Sequence, residues 1–306
     1  MTTSTPPPGS GRFAPSPSGD LHLGSLRTAL LAWLFARSTD RRFLLRVEDL
    51  DRVRPGAAAQ QLADLEAIGI DWDGAVVRQS ERAALYADAV RRLREAGRTY
   101  ECFCSRREIR EAPSAPHAPP GAYPGTCRDL SAAELARRRA ERPAAIRLRS
   151  DTDGFTVRDV LHGSYEGVVD DLSLVRNDGV AAYNLAVVVD DADQGIDQVV
   201  RGDDLLSSAP RQAYLASLLG LPAPTYAHVP LAVNAQGERL AKRDGSITLT
   251  DLARLGVKPR DALARMARSL GMQGRTPVEL LDEFDAARLP TEPWVVTAAA
   301  SANAAQ

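Results

Sequence analysis

An α/β fold with a parallel sheet covered on both faces is what this sequence predicts, and three observations predict it. Short apolar runs alternate with helical patterns at the spacing of successive strand–helix units. Loops rich in Gly, Pro and Ser separate them. The chain, 306 residues of which 44% are hydrophobic, is long enough to bury a substantial core.

Taken in order, residues 1–10 are rich in Pro, Thr and Ser and read as a disordered leader. GRFA reads as the first strand, and after a Pro/Ser/Gly loop an apolar period marks a helix from about Leu26 to Ala36. RRFLLRVED reads as a short buried strand ending in carboxylates, followed by helices near 56–69 and 80–97. The alternation breaks at Tyr100. A cysteine cluster, the Pro/Ala-rich stretch APSAPHAPPGAYPG, and the short strands AAIRLRS, GSYEGVV and LSLVRNDG mark 100–183 as an insertion of antiparallel character. The first pattern resumes with helix YNLAVVVDDA, strand IDQVVRG and helix SSAPRQAYLASLLG. Residues 11–99 and 184–245 therefore read as one split domain. Residues 246–306 read as a short helical C-terminal region with a frayed small-residue tail.

Charge excludes a global attraction to nucleic acid or membrane, because 38 basic residues face 40 acidic ones. No apolar stretch approaches the roughly 20 residues that span a bilayer. The N-terminus lacks the basic and apolar regions of a secretory signal, so a cytoplasmic address is expected, and a monomer is the expected state. Three cysteines do not make a disulfide framework.

Two segments suggest an anion site. In FAPSPSGDLHLGSLRTALL, His22 and Gly24 precede a helix start near Ser25, placing a ring N–H donor and a close backbone approach beside the positive end of a helix. In GERLAKRDGS, Lys242 lies in a polar, glycine-flanked loop with Arg239 and Arg243, suited to closing over a triphosphate. Only Lys242 and Lys258 are lysines, which gives each some weight. Taken singly, the first segment also suits an ordinary helix cap and the second a solvated surface loop.

HLGS and RLAKR resemble the HIGH and KMSKS motifs of class I aminoacyl-tRNA synthetases. With RVEDLD, YNLAVVVDD and VVRGDDLLSSAPRQ in the same order, the chain is similar to the glutamate branch of that class from Gly11 to about Leu252. Both motifs depart from the pattern: Ser25 stands for the final His, and Arg239 for the first Lys. The resemblance implies a Rossmann-like nucleotidyl-transferase domain and amino-acid adenylation, with Mg²⁺ accompanying ATP. It implies catalytic roles for His22 and Lys242, with Pro15, Gly19, Gly24, Ser25, Arg239 and Arg243 also around ATP.

Arg12 and Arg201, each ending a strand, offer planar guanidinium groups to a substrate side-chain carboxylate. Glu48 offers an anion for an α-ammonium group, and Tyr183 a hydroxyl. By the resemblance these residues, with Ala14 and Ser16, form a pocket for L-glutamate.

Cys102, Cys104 and Cys127, at short spacing in a proline-rich region, suggest structural Zn²⁺, which normally takes four ligands. The resemblance points to Tyr123 as the fourth ligand. Ordinary ligand chemistry favours His117 in the same loop, and the choice stays open here. The 61 residues after Gly245 are too few for the helical anticodon-binding region of glutamyl-tRNA synthetases. The resemblance is therefore to the truncated paralogues that attach glutamate to queuosine at the wobble position of tRNA(Asp), reached through its anticodon stem-loop. Arg106, Arg107, Arg110 and Arg137–Arg139 are candidate phosphate contacts. A minimal glutamyl-tRNA synthetase charging an acceptor end, and a non-catalytic amino-acid-binding module, are the competing expectations.

Overall fold

The computed structural model describes residues 9–111, 123–238, 240 and 247–296. Arg239, Lys242, Arg243 and His117 lie outside them, as do residues 1–8 of the expected leader and 297–306 of the expected tail. The chain opens with β1 (Ser10–Phe13), α1 (Leu23–Arg37), β2 (Arg42–Val47), α2 (Ala57–Ala67), β3 (Val77–Arg78) and α3 (Ala83–Glu95). It continues with β4 (Thr99–Cys102), α4 (Arg106–Glu111), α5 (Ala132–Glu141), β5 (Ala145–Leu148), β6 (Gly154–Asp159), β7 (Gly163–Val168) and β8 (Ser173–Val175). Then come α6 (Tyr183–Asp193), β9 (Ile196–Gly202), α7 (Ala209–Leu218), β10 (Thr225–Val229) and β11 (Ala232–Val233). The last elements are α8 (Leu249–Arg254), α9 (Pro259–Arg268), α10 (Pro277–Glu283) and β12 (Trp294–Val295).

Seven strands form the main sheet in the order β3-β2-β1-β9-β10-β6-β7, with only the β6–β7 hairpin antiparallel. The chain starts in the middle, moves outward through β2 and β3, and later places β9 and β10 on the other side of β1. The strand order therefore reverses between β1 and β9, where a crevice opens beyond the carboxyl ends of the strands.

Both faces are buried, so neighbouring residues of one strand enter different cores: Phe43 and Leu45 pack on the side of α1, Leu44 on the other. Helix α1 is apolar nearly all round, with Leu26, Leu30, Leu31 and Leu34 at most 1% exposed. It runs between the sheet and α9 and α10, and each such leucine contributes about 1.5–3 kcal/mol through burial. Arg27 ties this helix to its surroundings through the Pro230 carbonyl at 2.7 Å and Ser269 Oγ at 2.9 Å. The opposite face is covered by α3, α6 and α7 through Leu93, Leu185 and Leu215.

Two differences from the sequence reading concern topology. Residues 100–183 do not make one sheet: β4, β5 and β8 form a separate three-stranded antiparallel sheet, while β6 and β7 extend the main sheet through β10. Val157 joins Val199, Ala213 and Tyr226 in a shared core, so the hairpin gains burial by pairing there. The C-terminal region is not only helical, because β12 pairs in parallel with β11, a two-residue pairing too short to show as a pattern.

Candidate active site

A cleft of about 1160 Å³ opens at the reversal between β1 and β9. Every described residue that the sequence assigned to nucleotide or amino acid lines it: Arg12, Ala14, Pro15, Ser16, Gly19, His22, Gly24, Ser25, Glu48, Tyr183 and Arg201. Residues up to 189 positions apart in the chain thus share one wall system, because β1, β2 and β9 all end there.

His22 is the N-cap of α1, so the helix begins at Leu23 rather than near Ser25 or Leu26. Its Nδ1 accepts the Ser25 backbone N–H at 3.2 Å, which leaves the ring proton on Nε2, 3.1 Å from Ser25 Oγ. The Nε2–H thus sits at the mouth of the helix, directed at Ser25 Oγ. Gly24 is required by close packing: a Cβ there would lie 2.9 Å from the Ala232 Cβ and 3.1 Å from His22 Nδ1. Although Lys242 lies outside the described residues, the segment that follows it returns to this point. Leu23 N–H donates to the Ile247 carbonyl at 3.0 Å, and Thr248 bridges to His22.

The two arginines expected to hold a carboxylate have different surroundings. Arg12 donates to both oxygens of Asp191, at 3.2 and 3.3 Å. Its charge is already matched within the protein. Arg201 is 5% exposed and donates from Nε to His228 Nε2 at 3.0 Å, from one Nη to Gln212 Oε1 at 2.8 Å, and from the other to the Leu205 carbonyl at 3.3 Å. Among the described residues no carboxylate lies within salt-bridge distance of it. A buried guanidinium on a cleft wall, with no counter-ion among the described residues, has the chemistry to pair with an anion.

Glu48 lies in the same cleft, with Arg46 3.6 Å away. Burial pushes its carboxyl above the usual range, while Arg46 and Arg12 pull the other way. Sequence reasoning missed the layer beneath. Arg46 is fully buried and donates to Asp191 at 2.8 Å and Gln194 Oε1 at 2.7 Å. Asp190, also fully buried, accepts from Arg82 at 2.6 Å, Gln79 at 2.8 Å and the Tyr86 hydroxyl at 2.9 Å. Burial opposes ionisation of Asp191, but Arg12 and Arg46 outweigh it and hold the carboxyl below the usual range. The available signal was an acidic pair inside the otherwise apolar helix YNLAVVVDD, since charges on a buried helix need partners.

Beside the cleft, which Cys104 helps line, the cysteine cluster is compact. The sulfur atoms of Cys102, Cys104 and Cys127 lie within 4.8 Å of one another. The Tyr123 hydroxyl is 3.4 Å from Cys102 Sγ and 3.7 Å from Cys104 Sγ, and Arg147 stacks on its ring at 3.7 Å. Burial pushes the Cys104 thiol up to about 12. Among the proposed phosphate contacts, Arg106 lines the cleft, whereas Arg139 is paired with Glu101 at 2.7 Å.

Comparison with known proteins places these features. The family model of the class I tRNA synthetases (E and Q), catalytic domain, matches residues 10–303. A glutamyl-Q tRNA(Asp) synthetase of Nocardia farcinica is 68% identical over 290 residues, covering 94% of this chain and 93% of its own length. The chain belongs to the glutamyl-Q tRNA(Asp) synthetase family. This is a family of class I ligases. A second member, from Cutibacterium acnes, is 56% identical over 86% of this chain and 76% of its own. The crystal structure of a glutamate tRNA ligase from Elizabethkingia meningosepticum in complex with its amino acid superposes with a TM-score of 0.80 at 27% identity, over 96% of this chain and 68% of that one. Among the described residues no helix is long and apolar enough to cross a membrane.

Proposed function

We propose that this chain activates L-glutamate with ATP without the help of tRNA, and then transfers the glutamyl group to queuosine at the wobble position of tRNA(Asp). The observation that carries the reading is Arg201, a buried cation with no counter-charge among the described residues, sharing a cleft with the half-buried acid Glu48. A ligand with a carboxylate at one end and an ammonium at the other complements that pair. Arg12 supports the pocket from within its ion pair with Asp191, and Ala14, Ser16 and Tyr183 complete the wall.

The substrate α-carboxylate attacks the α-phosphorus of ATP in line; a bond from carboxylate oxygen to phosphorus forms, and the bond to the β-phosphate oxygen breaks, releasing pyrophosphate. The N-terminus of α1 and the Nε2–H of His22 stabilise charge on the phosphoryl oxygens, with Pro15, Gly19, Gly24 and Ser25 shaping the approach. Lys242, with Arg239 and Arg243, neutralises the leaving phosphates. Mg²⁺ bound with ATP would offset phosphate charge. In the second step an acceptor hydroxyl of the modified nucleoside attacks the glutamyl carbonyl, and AMP leaves.

The cysteine cluster suits Zn²⁺. Zinc–sulfur bonds of about 2.3 Å in a tetrahedron put sulfurs about 3.8 Å apart, and Cys104 and Cys127 are 3.6 Å apart. Cys102, Cys104, Cys127 and Tyr123 would hold the ion and close the site, so its role is structural. The names of the relatives support the queuosine acceptor. Labelled glutamate offered with tRNA(Asp) carrying or lacking queuosine tests it: label should reach only the modified tRNA, and equal labelling of both would refute this acceptor.

A further inference from the structure

We propose that Asp159 and His228 are positioning residues for substrate specificity: a buried carboxylate–imidazole pair that fixes the Arg201 guanidinium for the substrate's side-chain carboxylate. This deepens the glutamate reading and rests on it. The three residues come from adjacent parallel strands, β6, β10 and β9, with His228 directly beside Arg201 in register.

The protonation pattern follows from donors and acceptors. Asp159 Oδ1 accepts the backbone N–H groups of Leu161 and His162, both at 2.9 Å. Its Oδ2 accepts the His228 backbone N–H at 3.1 Å and faces His228 Nδ1 at 2.6 Å. A carboxylate so surrounded is an ionised acceptor, which puts the imidazole proton on Nδ1. Nε2 then presents a lone pair, and the Nε–H of Arg201 donates to it at 3.0 Å. The opposite tautomer, or the imidazolium, would set two N–H groups against each other.

Arg201 has five N–H donors. With His228, Gln212 and Leu205 each taking one, a single N–H on each Nη lacks an acceptor among the described residues. Those two are the donors that a carboxylate takes in bidentate fashion. Tyr226 holds the arrangement from one side, its ring stacked on His228 at 5.7 Å and under the Arg201 guanidinium at 5.4 Å. Asp159 and His228 are both nearly inaccessible to solvent, and neither lines the cleft. Their influence on substrate must therefore pass through Arg201. The β6–β7 hairpin, which sequence reading assigned to the insertion, thus carries a residue that sets the pocket.

Glutamate-dependent ATP–pyrophosphate exchange by the full chain separates this role from a merely structural one. His228→Leu removes the acceptor. Asp159→Asn cannot accept all the N–H groups that converge on the carboxylate, and it favours the wrong imidazole tautomer. Each should raise KM for glutamate about ten-fold or more while KM for ATP moves less than about two-fold, as expected for one hydrogen bond to a charged group. His228→Gln can accept from Arg201 through its amide oxygen and donate to Asp159, and should stay within about three-fold of the unaltered chain. If His228→Leu does not fold, the contrast between Asp159→Asn and His228→Gln decides. Folded variants with an unaltered KM for glutamate, or a His228→Gln as impaired as His228→Leu, would overturn the proposal. Absence of exchange in the unaltered chain would instead overturn the glutamate reading beneath it.

Discussion

Replacing Arg201 with Gln removes a buried cleft cation that has no carboxylate partner among the described residues, while leaving a polar side chain on β9. A bidentate charge-assisted pair with a substrate carboxylate contributes about 3–4 kcal/mol, from two hydrogen bonds to charged groups. At about 1.4 kcal/mol per decade this is a loss of roughly 100- to 1000-fold in glutamate affinity. The ATP contacts proposed above lie around α1 instead, so KM for ATP should change less than about three-fold. The substitution also strands His228 Nε2, Gln212 Oε1 and the Leu205 carbonyl, so melting temperature must be read alongside. Arg201→Lys is the informative companion: it keeps the charge but loses the planar fork, and should fall between the two. Steady-state exchange with each substrate varied in turn is the assay. An Arg201→Gln chain that folds and keeps its glutamate KM within about three-fold would refute the pocket assignment.

Three further outcomes are expected. Asp190→Ala removes the anion shared by the half-buried Arg82 and the buried Arg46, and should cost about 3–5 kcal/mol in a denaturant melt; a loss under about 1 kcal/mol would contradict the network. The His228 imidazole is lowered by burial, with Asp159 opposing and Arg201 adding to the effect, so the folded chain resists a proton that the unfolded chain accepts. Its contribution to stability is full above about pH 6.5 and falls as pH drops below that, by at most about 1.4 kcal/mol per unit. His228→Gln should flatten that slope in melts between about pH 7 and 5.5, and equal slopes would count against it. Elemental analysis should find about one zinc per chain, lost in Cys102→Ser and kept in His117→Ala; loss in His117→Ala would make His117 the fourth ligand.

What the sequence made legible follows from where the chemistry is local. A helix entered through His22 and Gly24, strand ends carrying Arg12, Glu48 and Arg201, and thiols at short spacing are adjacent in the chain or fixed by the parallel topology. The described residues that the sequence assigns to nucleotide and glutamate line one cleft. Two things were hidden. Whether an arginine is free or matched depends on a distant partner, as Arg12 depends on Asp191, 179 positions away. Sheet membership of a short hairpin depends on which edge offers burial, and β6 found it against β10 rather than β5. His228 carried no motif of its own, because its role comes from lying beside Arg201 on the neighbouring strand.

The most direct measurement is exchange of labelled pyrophosphate into ATP by the purified chain with no tRNA present. The account predicts saturable exchange that requires glutamate and is not supported by glutamine, whose neutral amide cannot match the Arg201 charge. No exchange at saturating glutamate and ATP, or equal exchange with glutamine, would contradict it.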